Sequence, residues 1–496
     1  MKNILSGLRR VARMWPERPA LHLSEGVVTY RQFQDRVLQA GSALAELGVK
    51  PGDRVAVLML NCPEYLELYY ATAAIGAVIV PFNIRWNFEE MAFTLGDSGA
   101  GVLVTDERFA AVAQRLAPPV SLSLAEYRDR RRRAALWDGP EPEESDLAGL
   151  FYTSGTTGGP KGAMLTHRNL LANAFTSIIE TEGTPDWIWL HSAPMFHLAN
   201  GAAMYAVTMI GAGHCFIPGF EPEAFLRAVE RYRATSTVLV PTMMNLLVNH
   251  PALERADTSS LRAMLYGASP MPLDVLRRAM ERLPCRFYQG YGMTETSPLL
   301  TVLHPEEHVM EGADDAWAPV NSAGRPVGGV EVRVVDDEDR DVGPRQVGEI
   351  VARGANVMRG YWNRPEITAE VLRGGWMHTG DMGAFDERGF LYIRDRKKDM
   401  IKPGGENVYS PEVEAVLYAH PDVLEVAVIG LPDEKWGERI HAVVVARPGR
   451  EVSADEIIGF CRERLTRFKC PTSVEFIEAL PKSGSGKVQK NVLRQR

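Results

Sequence analysis

The first 240 residues alternate between apolar positions at helical spacing and short apolar runs of strand length. The segment 29–48 shows the helical case, because Thr29 is suited to cap it, Gly48 is suited to end it, and apolar residues recur on one face. The same reasoning predicts, in chain order, a strand over 53–60, a helix over 63–74, a strand over 77–80, a helix capped by Thr166 whose apolar face carries Leu170, Leu171 and Phe175, and a strand over 237–240. This alternation predicts a layered α/β architecture.

The stretch from Trp187 to Phe220 contains no Asp, Glu, Lys or Arg. Its length would suffice to cross a bilayer, but Pro194, Pro218 and three histidines interrupt it. We therefore expect a strand, a loop and a helix that is buried on all sides, and no membrane span.

Beyond about residue 320 the pattern changes to short strands with Gly and Asp turns, such as 330–335, which predicts a small β subdomain. The last hundred residues predict a separate α+β unit, with one helix capped by Ser410 and another opened by a capping box at Ser453. The charge cluster 394–399 is the natural boundary. The predicted fold is thus α/β, with a large N-terminal domain over 1–394, a connection over 395–398 and a small C-terminal domain over 399–496.

Composition and charge narrow the class of protein. A chain of 496 residues is too long for one core. A net charge of −8 argues against a general nucleic-acid binder. Five scattered cysteines without a Cys-x-x-Cys pair exclude a cysteine zinc cluster and indicate a reducing compartment, the cytoplasm. The basic run 128–133 followed by acidic residues predicts a solvated linker.

Residues 151–162 form a run rich in glycine, serine, threonine and lysine. Glycines let backbone N–H groups approach an anion, and hydroxyls with one lysine add donors of little bulk. The run is therefore suited to cradle a polyphosphate, although a flexible linker has a similar composition. It is not a Walker loop, because no Gly-Lys-Ser/Thr closes it.

Several further motifs, in order along the whole chain, resemble those of the adenylate-forming (AMP-binding) superfamily, most closely its acyl- and aryl-coenzyme A ligases of the fatty-acid or 4-coumarate type. Besides 151–162, these motifs are 267–270 (Gly-Ala-Ser-Pro), 289–295 (Gln-Gly-Tyr-Gly-Met-Thr-Glu), 375–381 (Gly-Trp-Met-His-Thr-Gly-Asp), 396–402 with 404–407, and 481–487 (Pro-Lys-Ser-Gly-Ser-Gly-Lys). The resemblance implies an AMP-forming acyl-CoA synthetase that uses ATP, Mg²⁺ and coenzyme A. The carboxylic acid first becomes an acyl-adenylate with loss of diphosphate, and the thiol of coenzyme A then displaces AMP.

The resemblance also implies roles for individual residues at the nucleotide. Glu295 would hold Mg²⁺, Thr294 would donate to the α-phosphate, and Asp381 with Arg396 would bind the ribose side. The phosphates would be held by Thr153, Ser154, Gly155, Thr156, Thr157, Gly158 and Lys161, and the adenine by Gly267, Ala268, Ser269 and Tyr291; Gly290 and Gly292 would also contact ATP.

The C-terminal domain is mobile in this family, and it carries the catalytic lysine, which matches Lys487. Lys398 matches the hinge position, so 395–398 would be the hinge between two catalytic settings. Coenzyme A would contact Gly404, Gly405, Trp436 and Lys469, and His197 would lie near the carboxylate.

The substrate pocket is the least specific part of the resemblance. Small residues follow His197, and flexible apolar side chains lie further on: Ala199, Gly201, Ala202, Ala203, Met204, Met243 and Met244. We expect a roomy apolar pocket for a medium- or long-chain fatty acid or a bulky aryl acid. The absence of Asp between Trp187 and Phe220 favours plain carboxylic acids over amino acids.

The expected binding partners are therefore small molecules, namely the acid, ATP and coenzyme A, and no nucleic acid. The expected assembly is a monomer or a homodimer. Two alternatives stay open at this point: an adenylating enzyme that loads a carrier protein, and a non-catalytic binding protein of the same fold. Presence of Lys161, Glu295, Asp381 and Lys487 disfavours the second of these.

Overall fold

The computed structural model describes residues 1–153, 160–313, 315–450, 452–482 and 488–496. The helices of the described chain are α1 Ile4–Met14, α2 Tyr30–Glu46, α3 Pro63–Ala74, α4 Phe88–Ser98, α5 Ala110–Leu116, α6 Leu124–Arg133, α7 His167–Glu180, α8 Leu198–Gly201, α9 Ala203–Met209, α10 Pro222–Tyr232, α11 Pro241–Val248, α12 Leu273–Arg282, α13 Pro365–Val371, α14 Ser410–Tyr418, α15 Ala454–Arg462 and α16 Lys490–Leu493.

The strands are β1 Pro19–Leu23, β2 Gly26–Thr29, β3 Arg54–Leu58, β4 Val78–Pro81, β5 Val102–Thr105, β6 Val120–Ser123, β7 Leu147–Thr153, β8 Lys161–Thr166, β9 Ile188–His191, β10 Gly213–Phe216, β11 Ser236–Leu239, β12 Ala263–Gly267, β13 Arg286–Gly292, β14 Leu299–Leu303, β15 Arg325–Pro326, β16 Val330–Val335, β17 Gly348–Gly354, β18 Gly360–Tyr361, β19 Met377–Phe385, β20 Leu391–Arg396, β21 Val423–Asp433, β22 Gly437–Ala446 and β23 Ser473–Phe476.

The chain divides into two compact units. The first contains Met1–Val332 and Ala352–Met377, and the second contains Arg333–Val351 and His378–Arg496. The predicted domain limits at 394 and 399, and the hinge between them, remain predictions.

Two large sheets form the frame of the first unit. One has the strand order β15-β14-β13-β12-β11-β9-β10-β1-β2, and the other has the order β18-β8-β7-β4-β3-β5-β6. The central neighbours are parallel, for example β12 with β13 and β3 with β4, whereas antiparallel pairs lie toward the edges, such as β7 with β8 in one sheet and β1 with β2 in the other. Parallel strands joined through helices confirm the predicted layered α/β architecture.

Aromatic side chains fill the core of this unit between α3 and α9. The Tyr205 ring meets the Tyr69 and Tyr70 rings edge-on, with centroids 6.1 and 5.7 Å apart. Such edge-to-face pairs contribute beyond the area that they bury. The uncharged stretch after Trp187 forms β9, α8, α9 and β10, and α9 is buried along most of its length, as expected. In the described part of the chain, no helix combines the length and the apolar character needed to cross a membrane.

Local sequence signals place several helix starts correctly. The side chain of Thr29 accepts from the backbone N–H of Gln32 at the start of α2, and Thr166 accepts from Asn169 at the start of α7. Each cap satisfies an amide that has no partner inside the helix. Phe175, expected on the buried face of α7, is instead 44% exposed.

The basic run 128–133 is not a solvated linker, so that expectation is wrong. It belongs to α6, where Arg131 is buried and forms an ion pair with the fully buried Glu67 of α3. Arg128 pairs with Glu64 one turn earlier on α3, at 2.7 Å. Buried carboxylates need such countercharges, since an uncompensated charge away from water is strongly destabilising.

The second unit contains the three-stranded sheet β21-β22-β23 and most of the sheet β16-β17-β19-β20. Val426 and Val428 of β21 pack with Ile457 of α15 in the core beside the three-stranded sheet. The capping box at Ser453 is confirmed. Ser410 was expected to cap α14, which is wrong: it is the first helical residue, and its N–H and Oγ–H both donate to the buried Asp395, at 2.7 and 2.8 Å.

Buried neutral histidines predict a loss of stability in mild acid. Burial lowers the pKa of His167 to about 4, of His308 to about 4 and of His191 to about 3. The unfolded chain binds these protons near pH 6.5, so the free energy of unfolding falls as the pH drops below that value, by up to about 1.4 kcal/mol per pH unit for each histidine. Denaturant unfolding at pH 7, 6 and 5 measures the slope. His167→Leu should make the slope shallower, and an unchanged slope in that variant would contradict the assignment.

Candidate active site

Glu295 lies in the short turn Thr294–Thr296 that follows β13. Its carboxylate is buried, and Tyr361 of β18 donates its hydroxyl hydrogen to Oε1 at 2.7 Å. The backbone N–H of Met358 donates to the carbonyl oxygen of Glu295 at 2.8 Å. The segment around β18 therefore holds Glu295 by both its side chain and its backbone.

The two ends of the glycine-rich run lie side by side. Thr153 at the end of β7 faces Lys161 at the start of β8 in an antiparallel pair. The Nζ atom of Lys161 lies 5.7 Å from the ring centroid of Tyr361, the same tyrosine that holds Glu295. The predicted phosphate contacts Ser154, Gly155, Thr156, Thr157 and Gly158 lie outside the described residues.

The predicted adenine residues occupy the ends of two neighbouring parallel strands. Gly267 ends β12 and faces Gly290 of β13, and a Cβ at Gly267 would lie 2.2 Å from the Gly290 carbonyl oxygen. Only glycine permits this backbone approach. Ala268 follows with a φ of +67° and is exposed together with Ser269. Tyr291 and Gly292 complete the end of β13, so the small residues and the aromatic ring are brought together.

A cavity opens beside these strand ends, with an empty volume of about 860 Å³ that includes its mouth. Besides Gly267, Ala268, Gly290, Tyr291 and Gly292, its lining is mainly apolar and includes Ile178, Trp187, Trp189, Ala199, Ala202, Ala203, Ala206, Val207, Ile210, Val238, Val240 and Leu265. Three of the small residues predicted for the acyl pocket, on α8 and at the start of α9, are therefore in place. Gly201, Met204, Met243 and Met244 are not among the described lining residues. Met204 and Met244 are fully buried, and a Cβ at Gly201 would lie 2.7 Å from the Met195 carbonyl oxygen.

One wall of the cavity is polar, which the sequence analysis missed. Asn173 and Ser177 of α7 line it together with Thr181, which directly follows the helix, and their spacing of four residues puts them on one face. The spacing was present in the sequence. Nothing in the sequence showed that this face meets a cavity.

His197 directly precedes α8 and is half-buried, with its ring centroid 4.5 Å from that of Phe196. The loop before it is held by the buried Asn61. The Oδ1 atom of Asn61 accepts from the Met195 N–H at 2.8 Å, and its Nδ2 donates to the Ala193 carbonyl at 2.9 Å. Asn61 was not singled out from the sequence, because it lies more than 130 positions away from this loop.

In the second unit, Asp381 of β19 and Arg396 of β20 are brought together. They face each other across the antiparallel pair, and the Arg396 Nε lies 2.9 Å from the Asp381 Oδ1. Asp381 is buried, and its backbone N–H donates to the Thr379 hydroxyl at 3.1 Å. The predicted ribose-binding pair thus exists as an ion pair.

The predicted hinge residue Lys398 is exposed. Its neighbour Lys397 is paired with Asp337 at 3.0 Å and with Glu349 at 3.1 Å. These contacts lie within the second unit and leave the hinge role of Lys398 a prediction.

The residues predicted to contact coenzyme A lie in two parts of the second unit. Gly404 and Gly405 have φ of +63° and +88°, and Gly404 donates its N–H to the Trp436 carbonyl at 2.8 Å. A Cβ at Gly404 would lie 2.9 Å from the indole of Trp436, which is 53% exposed. Lys469 is paired with Glu412 at 2.6 Å. The catalytic candidate Lys487 lies outside the described residues.

A magnesium ion fits the carboxylate of Glu295. Among the described residues, no group of three or more His, Cys, Asp or Glu side chains would hold a metal by itself. Mg²⁺ is commonly held by one or two carboxylates together with substrate phosphates. Glu295 would supply that carboxylate and Lys161 lies near the same tyrosine, so the donor set suits a metal that arrives with a nucleotide.

Comparison with known proteins identifies related chains over the full length. The family of AMP-binding enzymes matches residues 8–362, and the C-terminal domain of AMP-binding enzymes matches residues 412–487. A feruloyl-CoA synthase from Amycolatopsis sp is 43% identical over 98% of this chain and 97% of its own. The fatty acid–[acyl-carrier-protein] ligase ScoC from Streptomyces coeruleorubidus is 37% identical over 97% of this chain and 94% of its own.

Among solved structures, the o-succinylbenzoate CoA synthetase from Bacillus subtilis in complex with its acyl-adenylate intermediate is similar. Its TM-score is 0.88 at 32% identity, over 100% of this chain and 98% of that one. The same synthetase has also been solved with ATP and a magnesium ion, again with a TM-score of 0.88.

Proposed function

Because the chain belongs to the family of AMP-binding enzymes, we propose that it activates an aryl acid, or a medium- to long-chain fatty acid, for transfer to coenzyme A. The protein is an acid–thiol ligase: carboxylic acid, ATP and coenzyme A become acyl-CoA, AMP and diphosphate through an acyl-adenylate. The proposed class of acid rests on one observation, the apolar cavity beside Gly267 and Tyr291.

In the first step, a carboxylate oxygen attacks the α-phosphorus of ATP and diphosphate leaves. Both reactants are anionic, so fixed positive charge and oriented donors must offset their repulsion. We assign Thr294 to the α-phosphate, Lys161 with the glycine-rich run to the outer phosphates, and Lys487 to the forming anhydride. Glu295 would hold Mg²⁺, which would supply further charge neutralisation on the phosphates.

In the second step, the thiol sulfur attacks the acyl carbonyl carbon, and AMP leaves with one former carboxylate oxygen. A lysine beside the anhydride would obstruct the entering thiol. We therefore propose that the segment bearing Lys487 withdraws by rotation about Lys398. Gly404 and Gly405 would then line the path of the pantetheine arm, and Trp436 would contact the adenine of coenzyme A.

The lining of the cavity supports a large apolar acyl group. Alanines on α8 and α9 leave space, and the rings of Trp187 and Trp189, stacked with centroids 6.2 Å apart, provide flat apolar surface. The polar face of α7 adds the Ser177 hydroxyl to this otherwise apolar wall, while Asn173 Oδ1 accepts from the Leu299 N–H at 3.0 Å and Thr181 Oγ1 donates to the Ser177 carbonyl at 2.6 Å. This combination favours an aromatic acid whose ring carries polar substituents over a plain fatty acid.

A series of acids tests this assignment. We expect kcat/KM for a hydroxycinnamic acid to exceed that for acetate at least about 100-fold, because burying a ring and its side chain contributes several times the ~0.8 kcal/mol of one methylene. Ala202→Phe should occupy the cavity and lower this ratio while sparing the smallest acids. Greatest activity with acetate or propionate would contradict the proposal.

Loading of a carrier protein is not favoured as the second half-reaction, although one relative is named for it. The activity assay with a good acid also identifies the thiol that accepts the acyl group. We expect acyl transfer to free coenzyme A without any carrier. Release of AMP that depends on a phosphopantetheinyl carrier would support the alternative.

The cytoplasm is the proposed location. All five cysteines are free, and burial raises the pKa of the Cys62 and Cys215 thiols well above the usual value. Unpaired, unreactive thiols suit a reducing compartment. A monomer or homodimer remains the expected assembly.

A further inference from the structure

A chain of buried side-chain hydrogen bonds runs behind the acyl cavity. Thr208 Oγ1 lies 3.1 Å from His214 Nε2, His214 Nδ1 lies 3.0 Å from His191 Nε2, and His191 Nδ1 lies 3.1 Å from Asn200 Oδ1. Trp189 Nε1 also donates to Asn200 Oδ1, at 3.1 Å. These side chains are buried, and apart from Trp189, which lines the acyl cavity, the proposed reaction uses none of them.

The donors at the Asn200 end fix the direction of every bond in this chain. An indole N–H is only a donor, and Asn200 Nδ2 donates to the Ala193 carbonyl at 2.6 Å, so Asn200 Oδ1 accepts. His191 must therefore carry its proton on Nδ1 and accept at Nε2. It follows that His214 also carries its proton on Nδ1, and that the Thr208 hydroxyl donates to His214 Nε2.

The hydrogen-bond chain disfavours a charged histidine. A second proton on His191 would point at the N–H of His214, and a second proton on His214 would force the Thr208 hydroxyl to turn from donor to acceptor. Burial lowers the pKa of His191 to about 3 and that of His214 well below its usual value, and the nearby His191 and His22 lower the pKa of His214 further. Both rings therefore stay neutral across the physiological range.

Both ends of this chain reach the acyl site. Trp189 lines the cavity, and Asn200 sits in α8 directly after the lining residue Ala199 and three residues after His197. Through Ala193, Asn200 also holds the loop that leads to His197. Thr208 lies on α9, whose first turn provides Ala203 and Ala206 to the cavity.

We propose that Thr208, His214, His191 and Asn200 act as positioning residues, which set the placement of α8, and with it His197 and the acyl wall, through one directional hydrogen-bond chain. They touch no substrate and act through Trp189, Ala199 and His197. The inference rests on the proposed function only in that the cavity holds the acyl group. A purely structural core role would lower stability without changing how acid, as opposed to ATP, is bound.

Nitrogen NMR on protein labelled at its histidines tests the proposed tautomers of the hydrogen-bond chain directly, and it does not depend on the substrate. We expect two histidines protonated at Nδ1, a tautomer that free histidine disfavours, with shifts that stay constant from pH 5.5 to 8. Thr208→Val removes the terminal donor and should move the His214 signals first. Two buried histidines in the Nε2–H form, or titration of either within that range, would overturn the assignment.

Steady-state kinetics test whether the hydrogen-bond chain affects binding of the acid. In Thr208→Val the buried His214 Nε2 loses its donor, and we expect KM for the best aryl acid to rise about 10-fold while KM for ATP changes less than about 2-fold. Thr208→Ser retains the hydroxyl and should restore the acid KM. Thr72→Val of α3 removes another buried helical hydroxyl, which donates to the Leu68 carbonyl at 2.9 Å, and serves as the matched control.

An acid KM in Thr208→Val that equals that of Thr72→Val would overturn the proposal. So would equal rises in the two KM values. Failure of the wild-type protein to activate any acid would instead count against the proposed function. The tautomer measurement would still test the directions of the hydrogen bonds from Thr208 to Asn200.

Discussion

Replacement of Lys487 by alanine is expected to slow acyl-adenylate formation by about 100-fold or more, yet to leave thioester formation from supplied acyl-adenylate near the wild-type rate. The proposed ammonium group neutralises charge only while the carboxylate approaches the α-phosphate. Once the anhydride exists, that charge has no further role, and its absence should not hinder the thiol.

Separate assays of the two half-reactions measure this split. Acid-dependent exchange of pyrophosphate into ATP reports the first, and conversion of synthetic acyl-adenylate with coenzyme A reports the second. Lys482→Ala is the matched control, because Lys482 lies in the same segment but pairs with Glu425 of β21. Equal loss of both half-reactions in Lys487→Ala would contradict the assigned role.

Glu295→Gln is expected to lower adenylate formation by about 100-fold or more, because it removes the carboxylate proposed to hold Mg²⁺. Tyr361→Phe should act in the same direction but more weakly. It removes one hydrogen bond to a charged acceptor, about 1.5–3 kcal/mol, so we expect roughly a 10-fold loss and a higher Mg²⁺ concentration at half-maximal rate.

Pyrophosphate exchange over a series of Mg²⁺ concentrations distinguishes these effects. Tyr152→Phe is the control, since Tyr152 lies on β7 and donates its hydroxyl to Asp97 rather than to Glu295, at 2.7 Å. A Glu295→Gln variant with wild-type activity at limiting Mg²⁺ would remove Glu295 from the metal site. A Tyr361→Phe variant identical to Tyr152→Phe would show that Tyr361 does not orient the carboxylate.

Local features of this fold could be predicted from the sequence, because their causes are local. The cap at Thr29, the helix after Pro63 and the capping box at Ser453 depend on residues within one turn. The alternation of strands and helices follows from periodicity alone, and it was sufficient to identify the layered architecture.

Features that depend on distant partners escaped prediction. Arg131 looked like part of a solvated basic run, and only the packing of α6 reveals the buried Glu67 that it neutralises. Serine is a common helix cap, but the Ser410 hydroxyl donates to the buried Asp395 instead of capping α14. In both cases a buried carboxylate overrides the local preference, since leaving it unpaired would cost more than a cap contributes.

The candidate site likewise contains residues that the sequence predicted and others that only the structure brings together. Motif resemblance indicated Asp381 and Arg396, and the structure pairs them, yet no spacing rule joins positions 15 residues apart on two strands. The polar face of α7 and the chain from Thr208 to Asn200 needed the structure, because several separate elements supply their members.

Transfer of oxygen from the acid to AMP tests the central claim most directly. The enzyme is supplied with acid labelled with ¹⁸O in its carboxylate, together with ATP, Mg²⁺ and coenzyme A, and the products are analysed by mass spectrometry. An acyl-adenylate route places one labelled oxygen in the phosphate of each AMP formed and leaves the other in the thioester carbonyl. Unlabelled AMP, or label in inorganic phosphate, would contradict the route through an acyl-adenylate.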